Sequence, residues 1–104
     1  MAHRVAWSPE ALEDLEAIAE FIGRDSRFYA QAVVSKGLTV GAAVADFPEA
    51  GRVVPELDDN SILERFVYSY PVIYRVEPER MLIVAVIHGK RLLESVSERT
   101  TNKS

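Results

Sequence analysis

The sequence predicts an α+β domain: an N-terminal helical hairpin packed on a small twisted antiparallel β-sheet. Residues 9–47 place apolar side chains at three- and four-residue steps, interrupted only by Gly23-Arg24-Asp25-Ser26. Residues 62–87 hold three runs rich in β-branched and aromatic residues, separated by short polar breaks. Such short connections favour antiparallel neighbours in both halves.

Each element has a local cause. His3–Trp7 reads as a short first strand. Ser8-Pro9-Glu10 opens the first helix, with Ser as N-cap and Pro at a position whose missing N–H is not needed. Glu10, Glu13 and Asp14 complement the positive end of its dipole. Leu12, Leu15, Ile18, Ala19 and Ile22 form its apolar stripe, and Gly23 is the expected stop. Asp25-Ser26 caps a second helix from about Arg27 to Phe47, ended by Pro48. Its stripe is Ala30, Val33, Val34, Gly37, Val40, Gly41 and Val44. Gly37 and Gly41 each cost about 1 kcal/mol relative to Ala in a helix interior, so their spacing implies a close neighbour there.

Val53-Val54 predicts an edge strand, since Pro55 argues against a central one. Three stronger strands follow: Ile62–Tyr68, Pro71–Glu77 and Met81–Ile87. A turn at Ser69-Tyr70 would set Phe66 against Ile73, Arg65 against Tyr74 and Glu64 against Arg75. Side-chain alternation then puts Leu63, Arg65, Val67, Tyr74 and Ile83 on one face, and Glu64, Phe66, Arg75, Val84, Val86 and His88 on the other. Both faces are largely apolar, and a bulge would exchange them beyond its position. Residues 1–94 read as one domain and 95–104 as a flexible polar tail.

Composition narrows the chemistry. There is no cysteine, which excludes disulfides, thiolate metal sites and thiol nucleophiles. Of two histidines, His3 is near the terminus, and no carboxylate cluster surrounds His88 in sequence, so neither metal nor cofactor is expected. With no signal peptide or long apolar run, the chain reads as a cytoplasmic protein with no membrane association. Charge is uneven. Residues 1–60 hold 5 Lys/Arg and 11 Asp/Glu, and residues 61–104 hold 7 and 5. An acidic protein is a poor non-specific nucleic-acid binder, so any anion contact belongs to the C-terminal half.

That half ends its sheet with His88-Gly89-Lys90-Arg91. Near neutral pH His88 is suited to general acid–base work, or to a hydrogen bond with nearby backbone. Lys90 and Arg91 suit an anionic target. Arg75 is expected to pair with Glu64 across the strands, and Arg65 to lie beside Tyr74 or meet an external phosphate. No nucleophile triad or phosphate-binding loop is present.

The order of these pieces resembles the ParE/RelE superfamily of type II toxin–antitoxin toxins, often labelled plasmid stabilisation proteins. The resemblance spans about residues 3–92. It is carried by Val5-Ala6-Trp7-Ser8-Pro9-Glu10-Ala11, Asp14-Leu15, Ile18, Phe21-Ile22, Asp25-Ser26, Phe47-Pro48, Gly51-Arg52 and Glu64-Arg65. Val72-Ile73-Tyr74-Arg75-Val76 and Ile87-His88-Gly89-Lys90-Arg91 complete it.

The resemblance implies a cognate, ParD-like antitoxin wrapped over apolar surface, in a hetero-oligomer that reaches operator DNA only through the antitoxin. Phe66, Tyr68, Tyr74, Val84 and Val86 are the residues expected to meet it. It also implies one of two targets. ParE-like members poison DNA gyrase and have no nuclease site. RelE-like members cleave mRNA on the ribosome, and His88, Arg65 and Arg75 would then be the catalytic candidates. The Tyr74-Arg75-Val76 and His88-Gly89-Lys90-Arg91 pieces and the acidic chain favour the ParE side, with Lys90 and Arg91 at the target. A degenerate member that only binds antitoxin is the third reading.

Overall fold

The structure is a computed structural model that describes residues 4–47, 50–57, 59–88, Val96 and Arg99. Strand β1 (Arg4–Trp7) leads into helices α1 (Pro9–Gly23) and α2 (Arg27–Asp46). Strands β2 (Arg52–Val53), β3 (Ile62–Val67), β4 (Tyr70–Val76) and β5 (Arg80–Val86) follow. They form one five-stranded sheet in the order β1-β5-β4-β3-β2. The ladders from β2 to β5 are antiparallel as expected, but β1 joins the edge parallel to β5, which makes the sheet mixed.

Both helix starts form as the sequence predicts. The Ser8 hydroxyl accepts from the Ala11 N–H at 3.1 Å, and Ser26 accepts from the Tyr29 N–H at 3.2 Å. Gly23 is the last residue of α1 but takes no left-handed conformation; Arg24 behind it is still right-handed. The α1 stripe is rotated from expectation. Ala11, Asp14, Leu15 and Ile18 are buried, while Leu12 is 44% exposed. Small Ala11 admits the sheet, and Asp14 has a backbone partner there, the Val86 N–H. The α2 stripe holds: Val33, Gly37, Val40, Gly41 and Val44 are all buried. A Cβ on Gly37 would sit 3.2 Å from a Leu15 methyl, and one on Gly41 would sit 3.1 Å from both Ile83 and Trp7. The close neighbours of both glycines are this chain's own side chains.

The β3–β4 register differs from expectation by two residues. The turn is Tyr68-Ser69, with Val67 opposite Tyr70. Arg65 therefore faces Val72, and Glu64 faces Ile73, so neither the Glu64–Arg75 nor the Arg65–Tyr74 cross-strand pair forms. Tyr68 opens this turn at φ 55°, a left-handed conformation uncommon for an aromatic residue. A shift of two keeps every β3 side chain on its expected face.

In β5 a bulge changes the faces. Tyr74 pairs with Ile83 but Ile73 pairs with Ala85, leaving Val84 as the extra residue. Met81, Ile83 and Val86 consequently share the helix-side core with Leu63, Val67, Val72 and Tyr74. Val84 and Ala85 join Val54, Ile62 and Ile73 in a second core on the opposite face. Val96 completes that second core and is fully buried. The segment expected to be a loose tail thus contributes both of its described residues to the fold, since Arg99 is ion-paired with Asp14 at 2.9 Å.

Candidate functional site

The strand end that carries His88 is built by three elements. Ile87 donates to the Pro71 carbonyl at 2.8 Å, which ties this end of β5 to the start of β4. Asp14 from α1 is 6% exposed, and its Oδ2 accepts the Val86 N–H at 3.0 Å. His88 follows as an exposed residue. Lys90 and Arg91, expected at the target, lie outside the described residues.

The other candidate residues are not gathered around His88. Arg75 is ladder partner of Leu82, six positions before His88, which is on the order of 15–20 Å away at about 3.3 Å per residue. Arg75 also lies 3.6 Å from the Glu77 carboxylate, whose other oxygen accepts from Arg80 Nε at 2.6 Å. The hydrogen bond from Arg80, with Arg75 close by, holds the Glu77 carboxyl below its ordinary range. Arg65 shares the helix-side face with Leu63 and Val67, opposite to the face that Arg75 takes by alternation. Glu64, only 7% exposed, takes Arg52 from β2 as its partner at 2.6 Å. The Gly51-Arg52 pair thus serves structure on both counts: Gly51 N–H donates to the buried Tyr74 hydroxyl at 3.1 Å. A Cβ on Gly51 would press into Tyr74 and the Glu64 carbonyl, so the close approach needs glycine. Burial raises the Tyr74 phenol above its usual value, outweighing the Gly51 hydrogen bond and the field of Arg65.

Of the five residues expected to meet an antitoxin, Tyr74, Val84 and Val86 are buried in this chain's own cores. Their surface is already spent on the sheet, so the expectation is corrected for these three: they have almost none left for a partner. Phe66 and Tyr68 remain exposed. Tyr68 belongs to an apolar cleft of about 610 Å³ between the helical turn and the β3–β4 turn, lined also by Phe21, Phe28, Tyr29, Val33 and Tyr70. Phe28 is 75% exposed and meets Tyr29 edge to face, with ring centroids 5.6 Å apart. The sequence carried a signal for this cleft: Phe28 falls outside the α2 stripe, on a side where a soluble helix usually places polar residues. Asp14 was legible in the same way, as an acid at helical spacing from Ala11 and Ile18.

Among the described residues, no group of three metal-binding side chains converges. No described helix is long and apolar enough to cross a membrane.

Comparison with known proteins agrees with this architecture. A family model described as "ParE toxin of type II toxin-antitoxin system, parDE" matches residues 5–93. Toxin RelE2 of Caulobacter vibrioides is 32% identical over 89 residues, covering 86% of this chain and 98% of that protein. Among solved structures, one titled "Chromosomal ParDE TA system from P. aeruginosa" superposes with a TM-score of 0.69 at 14% identity. It covers 86% of this chain and 98% of the other. The YoeB dimer from Staphylococcus aureus superposes with a TM-score of 0.59 at 12% identity, over 86% of this chain and 100% of that one. These two likenesses extend the fold, two helices on a five-stranded mixed sheet, to distant sequences. The profile match over nearly the whole domain, together with the near full-length relative, makes this chain a member of the ParE toxin family, within the ParE/RelE superfamily of type II toxin–antitoxin systems.

Proposed function

We propose that the chain is a ParE-like toxin that acts on DNA gyrase by protein–protein contact and is held inactive by a cognate, ParD-like antitoxin. The supporting observation is separation. His88 and Arg75 are far apart along the β4–β5 ladder, Arg75 sits beside Glu77, and Arg65 takes the opposite face. A cleavage site would need an acid–base group and phosphate contacts within hydrogen-bond reach of one another. Contact with a protein target makes no such demand.

The cleft of Phe21, Phe28, Tyr29 and Tyr68 is the antitoxin's seat in this reading. Clustered exposed aromatics are typical of surfaces that a partner covers. The left-handed backbone at Tyr68 adds to the argument, because such conformations persist where the ring's position is used.

Two observations favour a second reading, a ribosome-dependent endoribonuclease: the relative of 32% identity carries the name RelE2, and His88 is exposed. Induced expression separates the readings. Gyrase poisoning gives cleaved DNA and an SOS response, with translation intact at first. A nuclease gives cut mRNA and translation arrest, abolished by His88→Ala. An unaffected culture, with antitoxin binding retained, identifies a binding module without toxicity and refutes both.

A further inference from the structure

Strand β1 stops at Trp7, opposite Ile83, and the chain turns away at Ser8 to start α1. Among the described residues, no strand pairs with the outer edge of β5 beyond Ile83. Backbone groups in such a place need other partners, because a buried amide or carbonyl left unpaired is costly. The bulge at Val84 adds to that demand.

Side chains fill the gap. Asp14 Oδ2 accepts the Val86 N–H at 3.0 Å. Arg99 Nη1 donates to the Val84 carbonyl at 3.0 Å, and the Ser8 hydroxyl donates to the same carbonyl at 3.4 Å. Arg99 also donates to both oxygens of Asp14, Nη1 to Oδ2 at 2.9 Å and Nη2 to Oδ1 at 3.5 Å. One buried carboxylate therefore holds the edge of β5 on one side and a C-terminal arginine on the other. Val96, three residues before Arg99, is fully buried in the same core as Val84 and Ala85. Val86 at the end of β5 and Arg99 thus meet on the one carboxylate of Asp14. His88 is two residues beyond Val86.

Stability alone is a weak reason for a partly buried ion pair, since desolvation offsets much of its attraction and apolar residues serve as well. What apolar residues cannot do is bind the Val84 carbonyl and the Val86 amide and so fix the direction in which the strand end points. We propose that Asp14 and Arg99 are a positioning pair that sets the His88-bearing end of β5 for contact with the toxin's target. The proposal rests on the toxin reading above.

The test compares the full chain with its Asp14→Asn, Arg99→Gln and Arg99→Lys variants in two measurements. Amide hydrogen exchange by NMR reports the strand end, and titrated induction reports growth inhibition at equal amounts of folded protein. Exchange at Val86 and Ile87 is expected to rise at least tenfold in Asp14→Asn and Arg99→Gln, with Val76 and Met81 at the other end of the sheet within twofold of the parent. Growth inhibition is expected to fall at least tenfold in the same variants, and Arg99→Lys is expected to recover part of both. Unchanged exchange at Val86, a uniform rise along the sheet, or local loosening with full inhibition would each overturn the proposal. If Asp14→Asn does not fold, Arg99→Gln decides, because it removes the arginine's hold on Asp14 and on the Val84 carbonyl while leaving the buried carboxylate itself in the chain. A parent chain without growth inhibition refutes the toxin reading instead, and the exchange pattern then judges the clasp by itself.

Discussion

Replacing each α2 glycine with alanine should move stability in opposite directions. In a helix interior alanine is favoured over glycine by about 1 kcal/mol. The added methyl must then find room. At Gly37 every near contact is to the end of Leu15, at 3.2, 3.4 and 4.0 Å. A leucine terminus can shift by a few tenths of an ångström at little cost, so Gly37→Ala should gain about 0.5–1 kcal/mol. At Gly41 the methyl meets Ile83 Cδ1 at 3.1 Å and two indole atoms of Trp7 at 3.1 and 3.2 Å. Those side chains belong to two adjacent strands, and the indole has no flexible end to withdraw. Overpacking of that kind costs about 1–3 kcal/mol, so Gly41→Ala should lose up to about 2 kcal/mol net. Urea unfolding at constant m-value measures both changes. In a domain of this size each kcal/mol corresponds to about 4–8 °C in Tm. Equal signs, or a stabilised Gly41→Ala protein, would refute the claim that the glycine spacing exists to seat α2 on Leu15 and the sheet.

Other consequences follow from the buried polar groups and the C-terminal residues. Tyr74→Phe should cost about 0.5–1.5 kcal/mol through the unpaired Gly51 N–H, read from the urea midpoint. Because burial raises the Tyr74 phenol in the folded state, its contribution is complete below the unfolded value of about 10 and is lost as pH rises through the folded value. The parent should therefore lose stability at alkaline pH by a component missing from Tyr74→Phe. Arg52→Gln should cost about 1–3 kcal/mol by leaving the buried Glu64 carboxylate without its ion-pair partner, and Glu64→Gln should restore part of it in the double variant. Val96→Ala should cost about 2 kcal/mol, as expected for two methylene equivalents taken from a fully buried site, which a detached tail would not show.

The sequence made the helices legible because their caps and stripes are local. Ser8-Pro9, Ser26 and the α2 valines each act within a few residues of themselves. Strand positions were legible for the same reason. The β3–β4 pairing was not. The β3–β4 turn holds no glycine or asparagine to mark its left-handed residue, and Tyr68 occupies that place. The expected turn slid by one position and the register by two, which removed both predicted arginine pairings. The bulge at Val84 is equally silent in sequence, since all its neighbours are small or branched apolar residues. It moved Val86 into the helix-side core. Asp14 and Arg99 are 85 residues apart, and no local pattern connects them. Their partners are backbone groups, which every residue possesses and no sequence displays.

These corrections share a direction along the sheet. At the end holding the β4–β5 turn, charge is internally settled: Glu77 takes Arg80 and Arg75, and Glu77 N–H closes the turn on the Arg80 carbonyl. At the opposite end, Pro71 is joined to Ile87, and three exposed residues stand there: Tyr68 in its left-handed turn, the facing Phe28, and His88. Partners recognise surface that the fold has not already satisfied. The arginines of a catalytic reading are thus divided, Arg75 lying toward the settled end, while aromatic surface and the clasped strand stand together at the other. Clustered exposed aromatics of this kind suit a protein contact. Alternation along β3 and β4 puts Arg65 and Arg75 on opposite faces of the sheet, which is why contact with a protein is the reading proposed over phosphodiester cleavage.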